Sequence, residues 1–219
     1  MTQIKASYPI FKNKKELIDT LIKSGDVVLD AGFWGQGVRA EDSRWPHKLL
    51  REQAGDVYGL DLEYDESLVP SYRADHYFKQ SAENFSIDKR FNAIFAGDLI
   101  EHLSNPGLFL DSCKRNLKDD GRLIITTPNC YSLFDLFGKI AHFEPVVNRD
   151  HTCYFSVKTL KQLFEKNGWE VQEVGFLYSL GYRYKESIKK RLLNALYRML
   201  TWWTPKFVET IVIVAVPKH

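Results

Sequence analysis

Length, composition and charge already narrow the class of protein. The chain has 219 residues, of which 44% are hydrophobic and 26% charged, values that exclude an intrinsically disordered chain and favour one ordinary soluble domain. Thirty basic residues against 28 acidic ones leave a net charge of +2. No global field therefore attracts nucleic acid or a membrane, and any such affinity requires a local patch.

Cysteine usage and hydropathy bear on the compartment. The three cysteines, Cys113, Cys130 and Cys153, are odd in number and widely spaced, which favours neither a disulfide framework nor a zinc ribbon. The first residues lack the apolar stretch of a signal peptide, and the longest apolar run, Ile211 to Val216, is too short to cross a bilayer. These features predict a cytoplasmic protein.

The first part of the chain alternates short apolar runs with helical stretches, which predicts a parallel sheet covered by helices. Strands are predicted within Val27 to Leu29, Val57 to Asp61, Phe91 to Ala96 and Arg122 to Thr127. Helical spacing and capping residues predict helices over Lys12 to Lys23, around Leu49 and Leu50, and from Pro106, with Asn105 as N-cap, to a turn at Asp119-Asp120-Gly121.

The remainder is less regular. A helix is predicted over Tyr131 to Ala141, followed by a loop that carries Asp150 and His151. Ser156 is predicted to cap a helix that Gly168 ends. The last strands, Glu170 to Phe176 and Glu209 to Val216, are expected to pair with each other, and residues 178–207 between them form a helical appendage with a helix over Glu186 to Leu200.

A glycine-containing turn follows the first strong strand. The sequence from Val27 to Gly37 runs from an apolar strand into glycines that precede a helix, where the backbone can turn sharply and approach a ligand. Asp61 ends the next strand, and a carboxylate there can accept both hydroxyls of a ribose. The spacing favours a cofactor that contains a nucleoside.

Several motifs in order resemble the class I S-adenosylmethionine-dependent methyltransferases over nearly the whole chain. They are Leu29-Asp30-x-Gly32, Gly59-Leu60-Asp61, Ser81 to Phe85, Phe91 to Ile94 with Ile100 to Leu103, and Gly121 to Asn129. The resemblance implies an α/β, Rossmann-like, seven-stranded, mainly parallel sheet in a single domain of residues 1–219, with helices on both faces and the last strand antiparallel. His151 with Phe155-Ser156, and Gly168 to Val171, resemble the subgroup of ubiquinone-pathway and surface-glycan methyltransferases.

The resemblance also implies S-adenosylmethionine as cofactor and assigns its contacts. The implied cofactor-binding residues are Asp30, Gly32, Gly35 and Gly37 on the methionine side, Asp61 and Leu62 at the ribose and adenine, Ala82 and Glu83 at the adenine end, and Asp98. Two departures from the family pattern are an extra residue in the glycine motif, with bulky Phe33 and Trp34 inside it, and Ser81 at a common aspartate position.

Asp98, Glu101 and His102 follow the third strand at a spacing that places them on one face if a helix begins there. Methyl transfer to oxygen requires a group that removes the acceptor proton, and His102 or His151 can do so with Glu101 or Asp150 as the orienting carboxylate. One alternative is that Glu101 and His102 only support the backbone of the cleft. Another is that Asp98, Glu101, His102 and His151 bind a divalent cation, as in small-RNA terminal 2′-O-methyltransferases.

The C-terminal segment is basic and amphipathic. From Gly181 onward it carries eight lysines and arginines against Glu186 and Glu209, and apolar residues recur at helical spacing. It either covers the sheet or contacts a membrane surface or a lipid-linked or glycan substrate. The sequence thus predicts O-methylation of a small molecule or a sugar- or lipid-linked intermediate, without nucleic acid. The alternatives are a metal-assisted RNA methyltransferase and a non-catalytic module with this fold.

Overall fold

A computed structural model describes residues 8–35, 45–68, 71–133, 148–179 and 188–218. Its strands are β1 (Ile10–Phe11), β2 (Val27–Ala31), β3 (Asp56–Asp61), β4 (Tyr77–Lys79), β5 (Phe91–Gly97), β6 (Leu117–Pro128), β7 (Trp169–Leu177) and β8 (Thr210–Pro217). Its α-helices are α1 (Lys14–Leu21), α2 (Pro46–Gln53), α3 (Pro106–Asn116), α4 (Val157–Lys166) and α5 (Ile188–Trp203).

The strands form one sheet in the order β1-β7-β8-β6-β5-β2-β3-β4. Every neighbouring pair is parallel except those made by β8, which runs antiparallel to both β6 and β7. The predicted fold class is confirmed, including the antiparallel last strand and its pairing with β7. The predicted count of seven strands is wrong by one, because β1 has only two residues and pairs at the edge beyond β7.

Helices cover both faces of the sheet, as predicted. Leu17 and Ile18 of α1 pack with Leu50 of α2 in one buried cluster. Phe109 of α3 and Phe164 of α4 belong to a second, larger cluster. The central strands lie between these clusters, so their sequences are apolar on both faces rather than alternating, as in other parallel sheets.

The predicted caps at the ends of the helices are present in part. Ser156 and Thr159 form a reciprocal capping box at the start of α4, and Gly168 after its end has a φ of 68°, both at predicted positions. Asn105 precedes α3, but its side chain makes no capping hydrogen bond. The predicted turn at Asp119-Asp120-Gly121 is wrong: α3 ends at Asn116 and β6 has already begun at Leu117, because the chain pairs with Phe91 through an irregular register.

For two predicted helices, the structure describes only part of the predicted range. Residues 134–147 lie outside the described residues, and with them most of the helix predicted over Tyr131 to Ala141. Helix α5 is described from Ile188 to Trp203 and ends three residues beyond the predicted end at Leu200, while the predicted start at Glu186 lies outside the described residues. Within the described ranges, no helix is both long and apolar enough to span a membrane. The cytoplasmic location and the division into a domain with an appendage stay predictions.

Candidate active site

The predicted site residues gather where neighbouring strands end. β2 lies between β3 and β5, and the three strands run in the same direction. Gly32 follows β2, Asp98 follows β5 and Asp61 ends β3, so the three residues lie at one edge of the sheet. In open parallel sheets, ligands bind in the crevice at this carboxyl edge.

The glycine turn after β2 depends on left-handed backbone conformations. Gly32 has a φ of 77° and Gly35 a φ of 59°. Residues with a side chain rarely adopt such positive φ angles. The Gly32 N–H donates to the Leu60 carbonyl at 2.7 Å, and a Cβ on Gly32 would lie 3.0 Å from Leu99 Cδ1. The turn therefore lies close to β3 and to the segment after β5. Gly37 lies outside the described residues.

Phe33, one of the two bulky residues inside this turn, lies in a buried aromatic cluster beside it. The Phe33 side chain is 2% exposed and packs over Gly59, where a Cβ would come within 2.8 Å of its ring. Tyr77 and Trp45 complete the aromatic cluster around it. The Trp45 indole N–H also donates to the Phe33 carbonyl at 2.6 Å. The extra residue is thus accommodated by a buried aromatic pocket beside the turn.

Asp30 lies beneath the turn in a buried hydrogen-bonded chain that the sequence analysis missed. Its carboxylate lies 3.1 Å from His47 Nδ1, and His47 Nε2 lies 3.1 Å from the Tyr77 hydroxyl. His47 is fully buried and Asp30 is 2% exposed. Burial raises the pKa of Asp30, while the bond to His47 opposes that shift. The available signal was a histidine on the apolar face of α2, next to Leu49 and Leu50.

Asp61 and Leu62 stand at the end of β3. The Asp61 carboxylate accepts the Trp34 N–H at 3.0 Å and the Glu63 N–H at 3.3 Å. Leu62 is 63% exposed. The Asp61 carbonyl accepts the Gln80 N–H at 3.1 Å, which brings the next predicted contact segment beside it. A carboxylate and an exposed apolar side chain here suit a ribose and an adenine face.

The predicted adenine-end residues lie side by side in one short helix and differ in their contacts. Ala82 and Glu83 lie in a 3-10 helix, Ala82–Asn84, that Ser81 caps with its side chain. The Glu83 carboxylate accepts the Asn105 N–H at 2.7 Å, directly before α3. Glu83 therefore satisfies the backbone N–H of the residue that precedes α3, while Ala82 is half-buried beside it.

Asp98 is held by a cation from outside the predicted set. Its φ of 53° is the one positive value at a non-glycine residue in the described part of the chain. Lys14 of α1 approaches its carboxylate to 2.7 Å, and the Thr126 hydroxyl donates at 2.9 Å. Burial opposes ionisation, but the Lys14 ammonium outweighs it and lowers the pKa of Asp98. No sequence pattern links Lys14 to Asp98, because the two residues lie far apart in the chain.

Glu101, His102 and His151 come together next to Asp98. The ring centroids of His102 and His151 are 4.6 Å apart and their planes are nearly perpendicular. One ligand-type atom from each of the three residues lies within 4.8 Å of the others. The loop that carries His151 is anchored because Thr152 and Cys153 donate their N–H groups to the Glu101 carbonyl, at 2.8 and 3.2 Å. The structure thus joins three of the four predicted metal-ligand candidates, while Asp98 pairs with Lys14.

The Glu101 carboxyl is only half satisfied. It is 2% exposed, and Oε2 accepts the Thr127 hydroxyl at 2.9 Å, whereas Oε1 is buried with no hydrogen-bond partner among the described groups. Burial, followed by the charge of Asp98, raises its pKa to about 8. Burial and the neighbouring His102 lower the pKa of His151. Near neutral pH, the cluster therefore holds a protonated carboxyl beside a neutral imidazole that can accept a proton.

Fold and site together define an α/β protein with a candidate ligand site at the carboxyl ends of its strands. Residues 5–174 match the family described as methyltransferase domain. The chain belongs to this family, and the resemblance to class I S-adenosylmethionine-dependent methyltransferases is confirmed.

Comparison with individual proteins agrees with this assignment. The mitochondrial ubiquinone biosynthesis O-methyltransferase of Mus musculus is 33% identical over 173 residues, which cover 71% of this chain and 45% of that protein. The chain spans between 26% and 45% of the length of the first mitochondrial relatives it matches.

Solved structures share the fold. One is a SAM-dependent methyltransferase from Archaeoglobus fulgidus, with a TM-score of 0.57, 19% identity, and coverage of 92% of this chain and 93% of that one. Another is the 1,6-didemethyltoxoflavin-N1-methyltransferase of Burkholderia thailandensis with bound S-adenosylhomocysteine. It has a TM-score of 0.54, 16% identity, and coverage of 89% and 72%.

Proposed function

We propose that this chain transfers the methyl group of S-adenosylmethionine to an oxygen atom of a small molecule or of a sugar- or lipid-linked biosynthetic intermediate. The observation that carries the proposal is the cluster of Glu101, His102 and His151 at the same sheet edge as the glycine turn. Membership of the methyltransferase family and the O-methyltransferase relatives support the same reaction.

The cofactor would lie across the strand ends. Gly32 and Gly35, with their positive φ, would let the backbone approach its methionine part, and the Asp61 carboxylate would accept the ribose hydroxyls. Leu62 and Ala82 offer apolar surface for the adenine. Asp30 and Glu83 act indirectly in this arrangement, because the first supports the turn through His47 and the second anchors α3.

The chemical step needs a proton acceptor and alignment. The acceptor oxygen attacks the methyl carbon, the carbon–sulfur bond breaks, and its electron pair stays on sulfur to give S-adenosylhomocysteine. The proton of the acceptor hydroxyl passes to a ring nitrogen of the His102–His151 pair. Glu101 fixes the cluster, since its backbone carbonyl holds the His151 loop and its carboxyl is bound to Thr127.

A divalent cation at Glu101, His102 and His151 is the second candidate mechanism. The specific observation that favours it is the partnerless, buried Glu101 Oε1 beside two imidazoles. Carboxylate and imidazole ligands suit manganese or zinc, and a bound cation would lower the pKa of the acceptor hydroxyl. It requires no RNA as acceptor.

Calorimetric titration with S-adenosylhomocysteine tests the cofactor proposal. We expect micromolar binding, equivalent to about −8 kcal/mol, and at least tenfold weaker binding for Asp61→Asn. Asp65→Asn is the matched control, because Asp65 is exposed and bonds only locally to Ser67. Absence of binding by the unchanged protein would leave a module that has the fold without the cofactor.

Two further measurements separate the mechanisms. Release of S-adenosylhomocysteine is followed with a panel of hydroxyl acceptors, namely a phenol, a catechol and a glycoside, in the presence of manganese or of a chelator. Oxygen methylation predicts turnover with at least one of them. Loss of turnover with chelator, together with manganese-dependent thermal protection that His151→Ala removes, supports the cation. Equal rates in both conditions support the histidine pair alone.

A further inference from the structure

Helix α5 turns an apolar stripe toward solvent. Leu196, Met199, Leu200 and Trp203 recur at the spacing that places residues on one side of a helix. Each is between 48% and 70% exposed, and the neighbouring Trp202 is 72% exposed. Such a stripe normally faces a protein core, so its exposure calls for a partner.

The orientation of α5 is fixed by its opposite side. Tyr197 is 4% exposed and its hydroxyl donates to the Phe207 carbonyl at 3.2 Å. Thr201 is fully buried, with its hydroxyl 2.9 Å from that of Tyr178. Rotation of the stripe into the protein would expose these buried polar contacts. The helix is therefore held with its apolar side outward.

An apolar groove continues the stripe. It encloses about 480 Å³, and its walls include Leu133, Met199, Leu200, Trp203 and Phe207. A space of this kind accepts hydrocarbon. We call the exposed side chains of Leu196, Met199, Leu200, Trp202, Trp203 and Phe207 the α5 surface.

The sequence of α5 and of the turn that follows it is basic. The sequence of α5 contains two lysines and two arginines and no acidic residue. Lys206 lies in the turn that follows, and the Arg198 guanidinium lies 5.0 Å from the centre of the Tyr178 ring. Basic residues beside tryptophans and aliphatic side chains are the features of helices that lie in an anionic membrane interface.

We propose that the α5 surface docks this protein on the surface of an anionic phospholipid bilayer. The helix lies on the membrane, with Trp202 and Trp203 at the level of the headgroups and the groove open to acyl chains. Positive side chains such as Lys206 supply the attraction that selects anionic lipids.

Docking there would orient the active site. The Asn129 side-chain amide donates to the Lys206 and Val208 carbonyls, both at 2.8 Å, so the α5 surface is joined to the segment after β6. Thr127, two residues earlier, donates to Glu101. A membrane-resident amphiphile with a hydroxyl headgroup would then be the acceptor, a step that rests on the proposed function, whereas docking itself does not.

Vesicle co-sedimentation of the full chain tests the docking. Vesicles of phosphatidylcholine alone are compared with vesicles of phosphatidylcholine and phosphatidylglycerol. We expect more than tenfold stronger partitioning into the anionic vesicles, about 1.4 kcal/mol, and a loss of this preference at high salt. No sedimentation with either vesicle, or equal sedimentation with both, overturns the proposal.

Variants locate the contact. Met199→Gln/Trp203→Gln is expected to lower partitioning at least tenfold, whereas Leu108→Gln on α3, which also replaces an exposed apolar side chain, leaves it unchanged. Lys206→Gln should weaken binding several-fold, while Lys158→Gln on α4 should not. Equal effects of the paired variants, or dimerisation that Met199→Gln/Trp203→Gln abolishes without any vesicle binding, would assign this surface to something other than a membrane.

Independent readouts separate the two proposals. Brominated lipids should quench tryptophan fluorescence in the unchanged protein, and Trp202→Phe/Trp203→Phe should remove the quenching while retaining sedimentation. Circular dichroism and thermal unfolding show that each variant is folded, and calorimetry with S-adenosylhomocysteine reports nucleoside binding separately. Vesicle binding without nucleoside binding would defeat the proposed function alone, and the reverse result would defeat the docking alone.

Discussion

Two buried carboxylate–histidine groups lie at the same sheet edge and differ in how completely they are satisfied. Asp30 and His47 form a closed group, because His47 is fully buried and both its ring nitrogens have a partner, in Asp30 and Tyr77. Glu101 forms an open group with His102 and His151, which are only partly buried, and its Oε1 has no partner among the described groups.

The difference separates a framework role from a reactive one. A saturated buried network holds one geometry and offers no lone pair or proton to a ligand. An unsaturated one is costly to fold, and such groups concentrate at sites where a ligand completes them. The same residue types therefore support the glycine turn in the closed group, whereas in the open group they retain atoms that can bind a ligand or exchange a proton.

Removal of His47 should have the largest effect. His47→Ala leaves the buried Asp30 carboxyl without this partner and opens a hole against Phe33, so we expect a loss of about 3 to 5 kcal/mol in the free energy of unfolding. Urea unfolding measures it. His102→Ala, at a partly exposed position, should cost less than about 1 kcal/mol. Similar losses for both would contradict the division into closed and open groups.

Replacements in the open group, which should cost little stability, should have large effects on catalysis. With an acceptor that gives turnover, His102→Ala or His151→Ala is expected to lower kcat by about 10² for whichever ring accepts the proton, with binding of S-adenosylhomocysteine retained. His76→Gln is the matched control, since His76 contacts Asp56 and stacks on Tyr58 away from the cluster. Full turnover in both alanine variants would remove the proton-acceptor assignment.

The sequence predicted much of the open group and little of the closed one. Glu101 and His102 follow a strand in a recognisable motif, and His151 lies in a loop of the same resemblance, so all three were found. His47 and Lys14 are the partners of Asp30 and Asp98, and they contact these carboxylates only through the tertiary fold. No local periodicity or motif encodes such a contact.

The short edge strands were missed for a related reason. β1 and β4 have two and three residues, too few for an alternation of apolar and polar side chains to be visible. Their strand state depends on pairing with β7 and β3. Long buried strands such as β5, which is apolar from Ala93 to Ala96, were predicted correctly.

The aromatic cluster of Phe33, Trp45 and Tyr77, which lies beside the closed group, should tolerate little added volume. In Gly59→Ala the new Cβ would lie 2.8 Å from both the Phe33 and Tyr77 rings, and we expect a loss of about 2 kcal/mol from overpacking. Thermal unfolding with and without S-adenosylhomocysteine measures it. Phe33→Leu in the same chain should restore part of the loss. Gly25→Ala, with open space around the position, is the control.

The open group should make stability depend on pH in a particular direction. The pKa of Glu101 is raised to about 8 from 4.5, so between these values the unfolded chain has lost the proton that the folded chain keeps. The free energy of unfolding should therefore fall as pH rises through this interval, by at most about 1.4 kcal/mol per unit. Urea unfolding across the interval, with chelator present, measures the slope.

Variants assign that slope to one carboxyl. Glu101→Gln removes the titrating group and keeps its shape, so the fall in stability should become shallower, whereas the exposed Glu165→Gln should reproduce the slope of the unchanged protein. Since a cation bound at Glu101 competes with its proton, manganese in place of chelator should also flatten the profile if the cluster binds metal. An identical slope in Glu101→Gln would show that the open group is ionised, and hence satisfied, in the folded protein.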